Sequence, residues 1–124
     1  MTATFQIDES KNLTIITLTG TISYDKVIRA YDTFFKNPTK NILWDYSQQD
    51  ESCYLLGSDE FKNLFEYVIS KKKTRPEGKT AYIVPNKILL GMAKVIQHLV
   101  KAEKLPWEMK VFVSMDQALE WIGK

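Results

Sequence analysis

The stretch that most constrains the fold is the apolar run 42–44, which stops at Asp45 and which we interpret as a strand. The twelve residues 46–57 then lead to a clear helix start at Ser58. Strand-to-helix loops in α/β domains usually run about 2–6 residues, and longer ones are often functional. In open α/β sheets, ligands gather beyond the carboxyl ends of the strands. This loop is therefore the first place to look for a site.

Size and composition are those of an ordinary globular protein. The 124 residues fit one domain, 1–124, with 44% hydrophobic and 26% charged residues. A net charge of +2 is too balanced to predict nucleic-acid binding. Cys53 is the only cysteine, which excludes an internal disulfide and fits a reducing compartment. Acidic residues precede any long apolar run, and no apolar segment approaches the ~18 residues that span a bilayer, so we expect a soluble cytoplasmic protein.

Alternating and β-branched segments predict the strands. Phe5 and Ile7 alternate with polar residues, and the stretch 13–18 is rich in Ile and Thr. A polar turn joins these two segments, so they predict a hairpin. Further strands are predicted at 81–84 and at 109–113.

Four helices are predicted from apolar residues at helical spacing, and each begins at a residue that favours the N-cap position. These caps are Ser23, Ser58, Asn86 and Ser114. Ser114 and Gln117 also fit a capping box. The inward face of the first helix consists of Tyr24, Val27, Ile28, Tyr31, Phe34 and Phe35.

The order of elements is therefore β-β-α-β-α-β-α-β-α. Strands that alternate with helices indicate right-handed βαβ units and a mainly parallel sheet. The fold class is α/β, a single domain with a mixed, mainly parallel sheet of about five strands, an N-terminal antiparallel hairpin and about four helices.

Several local phrases resemble the SpoIIAA-like proteins of the STAS/SEC14 type. They are ITLTGTISYD, NILWDYS, SDEF, GKTAYIVPN, GMAKV and VFVSMDQALEWI, and the likeness extends over nearly the whole chain. The resemblance implies a small α/β domain with a mixed sheet flanked by helices. Better-known relatives are anti-sigma-factor antagonists, which are switched by phosphorylation of a serine at the start of a helix. SEC14-type relatives bind lipids or other apolar molecules.

Ser58 is the candidate phosphoacceptor, because a phosphate at a helix N-terminus meets free backbone N–H groups and a favourable dipole. The alternative is an ordinary N-cap, which stabilises a helix by about 1 kcal/mol. Asp59 and Glu60 follow Ser58 and would repel an added phosphate, whereas STAS regulators carry an acid before this serine.

The long loop is unusually apolar, and such a loop must either fold onto the core or offer a binding surface. Core packing is the first alternative. The second is a binding surface formed by the loop and the start of the next helices. Its candidate residues are Asp45, Tyr46, Ser47, Tyr54, Leu55 and Asn86.

Other reactive residues have simpler interpretations. Cys53 and His98 could form a thiol–imidazole pair, but free cysteines usually pack, and His98 shares a predicted helix face with lysines. A basic cluster could meet an acidic partner, a phosphate or a membrane surface, although it also fits a solvated helix end. It consists of Lys71, Lys72, Lys73, Arg75 and Lys79. The acidic residues near Asp45 match no metal-binding loop, and the chain has no Gly-rich phosphate loop or nucleophile elbow. We therefore expect no enzymatic activity, no metal and no cofactor.

The sequence thus predicts a non-catalytic, STAS-like regulatory or binding module that recognises a protein partner through the loop 46–58 and the adjacent helix starts. The alternative is a SEC14-type carrier of a small apolar or lipid-like ligand. An enzyme that uses Asp45 and loop serines ranks below both. We expect no nucleic-acid partner and no integral membrane segment. A homodimer is compatible with the prediction.

Overall fold

The fold is a five-stranded mixed sheet with helices on both faces, seen in a computed structural model that describes residues 2–20, 23–49, 63, 66–71, 77–85 and 107–124. The strands are β1 (Thr2–Asp8), β2 (Leu13–Thr19), β3 (Asn41–Asp45), β4 (Lys79–Ile83) and β5 (Glu108–Phe112). A 3-10 turn, Glu9–Lys11, joins β1 to β2. The helices are α1 (Tyr24–Lys36), the described helical residues 66–70 (α2) and α3 (Met115–Ile122).

The strands lie in the order β1-β2-β3-β4-β5. β1 is antiparallel to β2, and every other neighbouring pair is parallel. β3 therefore lies at the centre, and all five of its residues are buried. The predicted α/β class, the N-terminal hairpin and the mainly parallel sheet are confirmed.

Side chains alternate between the two faces of the sheet, and each face has its own helices. On one face, Ile16 and Trp44 pack against α1 and α2. On the other face, Leu43 and Ile83 pack against Ala118 of α3. Because helices cover both faces of the sheet, the central strands have continuous apolar sequences and do not alternate between apolar and polar residues.

The serine caps explain where two helices begin. The Ser23 side chain accepts a hydrogen bond from the Lys26 N–H, and the Ser114 side chain accepts one from the Gln117 N–H. Within the part of the chain that the structure describes, no bond returns from the Gln117 side chain to the Ser114 N–H. The predicted N-cap is therefore present at Ser114, while only one half of the capping box forms.

Several strand boundaries differ from the sequence prediction, most clearly those of β4 and β5. β4 begins at Lys79, two residues before the predicted 81–84, and β5 ends at Phe112 rather than at Val113. Ile83 and Phe112 are partners in the last rung of the ladder, so the two strands end together. Val113 then lies just before the cap of α3 and is 43% exposed. The predicted helix starts at Ser58 and Asn86 lie outside the described residues.

Candidate functional site

Aromatic side chains gather near the carboxyl ends of β3 and β4, beneath α1. The Trp44 ring lies 4.4 Å from the Tyr31 ring, measured between centroids. Tyr46 stacks between Trp44 and Tyr82, at 6.5 Å and 6.2 Å. The hydroxyl groups of Tyr31 and Tyr82 are hydrogen bonded at 3.0 Å. These four rings, Tyr31, Trp44, Tyr46 and Tyr82, are called the aromatic cluster below.

The aromatic cluster continues along α1 towards α2. The Phe35 ring lies 6.0 Å from Tyr31 and 6.2 Å from Tyr67 of α2. The Tyr67 hydroxyl donates a hydrogen bond to the Asp32 carboxylate on α1. A band of aromatic rings thus links the sheet, α1 and α2 on one face.

The indole N–H of Trp44 has no hydrogen-bond partner, although the side chain is fully buried. Within the described ranges it is the one buried side-chain nitrogen or oxygen in this condition. Leaving a buried donor unsatisfied costs about 1–3 kcal/mol, so native proteins retain few such groups. The aromatic cluster therefore contains a buried hydrogen-bond donor without a partner.

Residues 46–49, the first residues of the predicted long loop, form a turn that is fixed to the carboxyl ends of the strands. The Tyr46 N–H donates to the Ile83 carbonyl at 2.8 Å, which ties the turn to β4. The Gln49 side-chain amide donates to the Leu18 carbonyl at 2.7 Å, which ties it to β2. The Gln49 N–H donates back to the Tyr46 carbonyl at 3.0 Å and closes the turn. Residues 46–49 are called the anchored turn below.

Asp45 shapes the anchored turn from within. Its carboxylate accepts a hydrogen bond from the Ser47 N–H at 2.9 Å, and the residue is only 7% exposed. An aspartate that bonds the backbone two residues further on favours a turn, which explains why β3 ends here. Ser47 and Gln48 remain exposed on the outer side of the turn.

The predicted site residues divide into two groups. Asp45, Tyr46 and Ser47 lie together at the carboxyl edge of β3, with Asp45 as a buried support and Ser47 exposed. The remaining predicted residues lie outside the described parts of the chain. They are Tyr54, Leu55, Ser58 and Asn86, together with Cys53 and His98.

Three residues that contribute to this site were not predicted from the sequence. No local sequence pattern predicts the role of Gln49, because its hydrogen bond to Leu18 joins residues that are 31 positions apart. Tyr31 was predicted to lie on the inward face of the first helix, but the helical spacing of apolar residues did not predict its hydrogen bond to Tyr82. Strand alternation could have placed Tyr82 on the same face as Trp44, since the two are partners in the β3–β4 ladder.

The described residues contain no group of three or more His, Cys, Asp or Glu side chains arranged to hold a metal ion. None of the helices in those same ranges is both long enough and apolar enough to cross a membrane. Comparisons with protein-family models, with curated proteins and with solved structures found no match to this chain.

Proposed function

We propose that this chain is a non-catalytic binding module that recognises a protein partner through the anchored turn and the loop that follows it. The observation that carries the proposal is the turn itself. Hydrogen bonds to Ile83 and Leu18 hold it against two strands, while Ser47 and Gln48 stay exposed. A surface that is already held in one conformation loses little entropy on binding, which favours recognition.

In this proposal the module is a cytoplasmic regulator with a SpoIIAA-like fold of four helices. The regulatory role and the fold rest on the sequence resemblance to STAS-type proteins, and the location is supported by the single cysteine of the sequence. In this proposal the loop leads from the anchored turn to Ser58 at the start of a helix. Phosphorylation of Ser58 would place negative charge close to the partner surface and change the affinity for the partner. The Ser58 role rests on the resemblance and on the preference of phosphate for helix N-termini.

The proposal is tested by native mass spectrometry of the protein purified from its own cells, which reports bound partners and phosphate together. The variant Gln48→Arg places a positive charge at an exposed residue of the anchored turn, and Glu9→Arg places one at an exposed residue in the β1–β2 connection. We expect Gln48→Arg to lose the partner mass and Glu9→Arg to retain it, with unchanged urea midpoints. A partner that remains bound to Gln48→Arg, or is lost equally from both variants, contradicts the proposed surface.

A second candidate function is the carriage of a small apolar or lipid-like ligand. The unpartnered Trp44 indole N–H within the aromatic cluster favours it, because a ligand acceptor atom beside that nitrogen would satisfy the buried donor. Ligand sites are typically apolar and aromatic with a few polar groups that fix orientation.

Solvent extraction followed by mass spectrometry tests this second function. Trp44→Phe keeps an aromatic ring but removes the N–H, so it should release the small molecule while the protein stays folded. Tyr82→Phe provides a comparison, since it removes a hydroxyl from the same cluster and leaves the indole. An extract of the wild-type protein that contains no stoichiometric small molecule rules out the carrier function.

A further inference from the structure

The outer edge of the sheet is formed by β1, which pairs with β2 along one side. Five of its seven residues are exposed, and Ala3 is the one β1 residue that packs against a core cluster of the described residues. Phe5 is 37% exposed and Ile7 is 54% exposed, which makes them two of the three large exposed apolar side chains in the described residues. An edge strand of this kind presents unpaired backbone N–H and C=O groups together with apolar side chains.

Among the described residues, β1 itself carries no feature that usually prevents edge-to-edge pairing. Proteins protect edge strands with lysine, proline, bulges or short length. β1 has seven residues, and its only charged residue is Asp8 at the end. The opposite edge differs, because the five-residue β5 carries the exposed charges of Glu108 and Lys110.

The sequence of β1 is also self-complementary about its midpoint. Ala3, Phe5 and Ile7 point to the face of the sheet that α1 covers further along, and Thr2, Thr4, Gln6 and Asp8 point to the other face. When the strand is turned end for end around Phe5, apolar residues again fall opposite apolar residues. Polar residues likewise fall opposite polar residues.

We propose that β1 pairs in antiparallel fashion with β1 of a second copy of this chain, around a two-fold axis through Phe5. Phe5 then lies opposite its own counterpart, and Ala3 lies opposite Ile7 of the second copy. Asp8 lies opposite Thr2, so the two Asp8 carboxylates are separated by about 20 Å along the strands and do not repel strongly. The two sheets become one continuous sheet of ten strands, twice the five in each copy.

A second copy fits this edge better than a different strand partner. A two-fold arrangement uses the same surface on both molecules and closes after two subunits. Pairing of β1 with β5 of another copy would instead be a head-to-tail contact, which grows into a ring or a filament. It would also place exposed Glu108 and Lys110 beside an edge that offers them no opposite charge within residues 2–7.

Sedimentation velocity over a range of protein concentrations tests the assembly. Wild-type protein is expected to shift from monomer to dimer as the concentration rises. Phe5→Lys places two like charges opposite each other on the axis and should weaken the dimer on the order of 100-fold. Val113→Lys makes the same kind of change at a residue that is 43% exposed beyond β5, and it should leave the dimer intact.

A wild-type protein that remains monomeric up to about 1 mM overturns the proposal. A dimer that survives Phe5→Lys also overturns it, because another surface must then form the contact. Assembly into species larger than dimers excludes the two-fold arrangement.

Cysteine cross-linking tests the register without depending on the stability of Phe5→Lys. The background variant is Cys53→Ser, which removes the only cysteine of the sequence. Phe5→Cys should form an intermolecular disulfide on mild oxidation, because directly opposed residues of an antiparallel pair have Cα atoms about 4.5–5.5 Å apart, within the range of about 4.4–6.8 Å that disulfides span. Ile7→Cys should not, because the two copies of that position are separated by about 14 Å along the strands. Equal cross-linking of the two variants, or none for Phe5→Cys, contradicts the proposed register.

Discussion

Asn41 joins the amino ends of three neighbouring strands through one buried side chain. Its amide nitrogen donates to the Lys11 carbonyl at 2.9 Å, just before β2, and its amide oxygen accepts from the Lys79 N–H of β4 at 2.9 Å. Asn41→Ala would leave both backbone groups without these partners and should lower the free energy of unfolding by about 2–4 kcal/mol. Urea unfolding measures the loss. Asn37→Ala, at an exposed helix end, is the control and should change stability by less than about 0.5 kcal/mol.

Gly78 is required by a close approach between two chain segments. A Cβ atom at this position would lie 2.0 Å from the Lys40 carbonyl oxygen, and that oxygen belongs to the backbone. Gly78→Ala must therefore displace the segment before β3 or the segment before β4, and should lower the thermal midpoint by several degrees. Gly123→Ala is the control, because its Cβ would meet nothing closer than 3.5 Å. Equal midpoints for the two variants would show that the close approach is readily relieved.

Asp8 provides a pH-dependent contribution near the hairpin turn. The hydrogen bond from the Ser10 side chain is the main cause that holds the pKa of Asp8 below its ordinary value of 3.8. Because the pKa is depressed in the folded state, the stabilisation is present above the ordinary pKa and is lost as the pH falls through the folded pKa. Ser10→Ala should raise the pKa of Asp8, as measured by NMR titration of its carboxyl carbon. A pKa that does not move would assign the depression to the backbone N–H groups and Lys11.

At the scale of single elements, the N-caps determine where α1 and α3 begin. Ser23 and Ser114 each accept a hydrogen bond from the backbone N–H three residues later, at 3.4 Å. Ser23→Ala and Ser114→Ala should each lower the free energy of unfolding by about 0.5–2 kcal/mol. Ser114→Asp should retain the stability, because aspartate is an equally good N-cap. A loss as large for Ser114→Asp as for Ser114→Ala would show that the hydroxyl has a role other than capping.

At the scale of the whole molecule, stability should fall from the centre of the sheet to its β1 edge. All five residues of β3 are buried between two covered faces, whereas five residues of β1 are exposed. Native-state hydrogen exchange should therefore be slowest in β3 and fastest in those β1 amides that point away from β2. The Phe5→Lys variant is the appropriate sample, because pairing between copies would itself protect β1. Amides of β1 as slow as those of β3 would mean that this edge is covered in the monomer.

The sequence by itself determined the local features, namely the fold class, the hairpin, the central apolar strand and the caps at Ser23 and Ser114. These depend on periodicity and on residues within one turn, so they can be read from neighbouring positions. Of the predicted site, the position of Asp45, Tyr46 and Ser47 at the carboxyl end of β3 followed from the same pattern.

Only the tertiary structure decided which distant residues meet. The strand order left β1 at an edge and β3 at the centre, although both are short segments with apolar residues. The bonds of Gln49 to Leu18 and of Tyr31 to Tyr82 join residues 31 and 51 positions apart. The close approach of Gly78 to Lys40 likewise joins residues that are distant in the sequence. Such contacts depend on how the strands pair across the sheet, and no local pattern encodes that pairing.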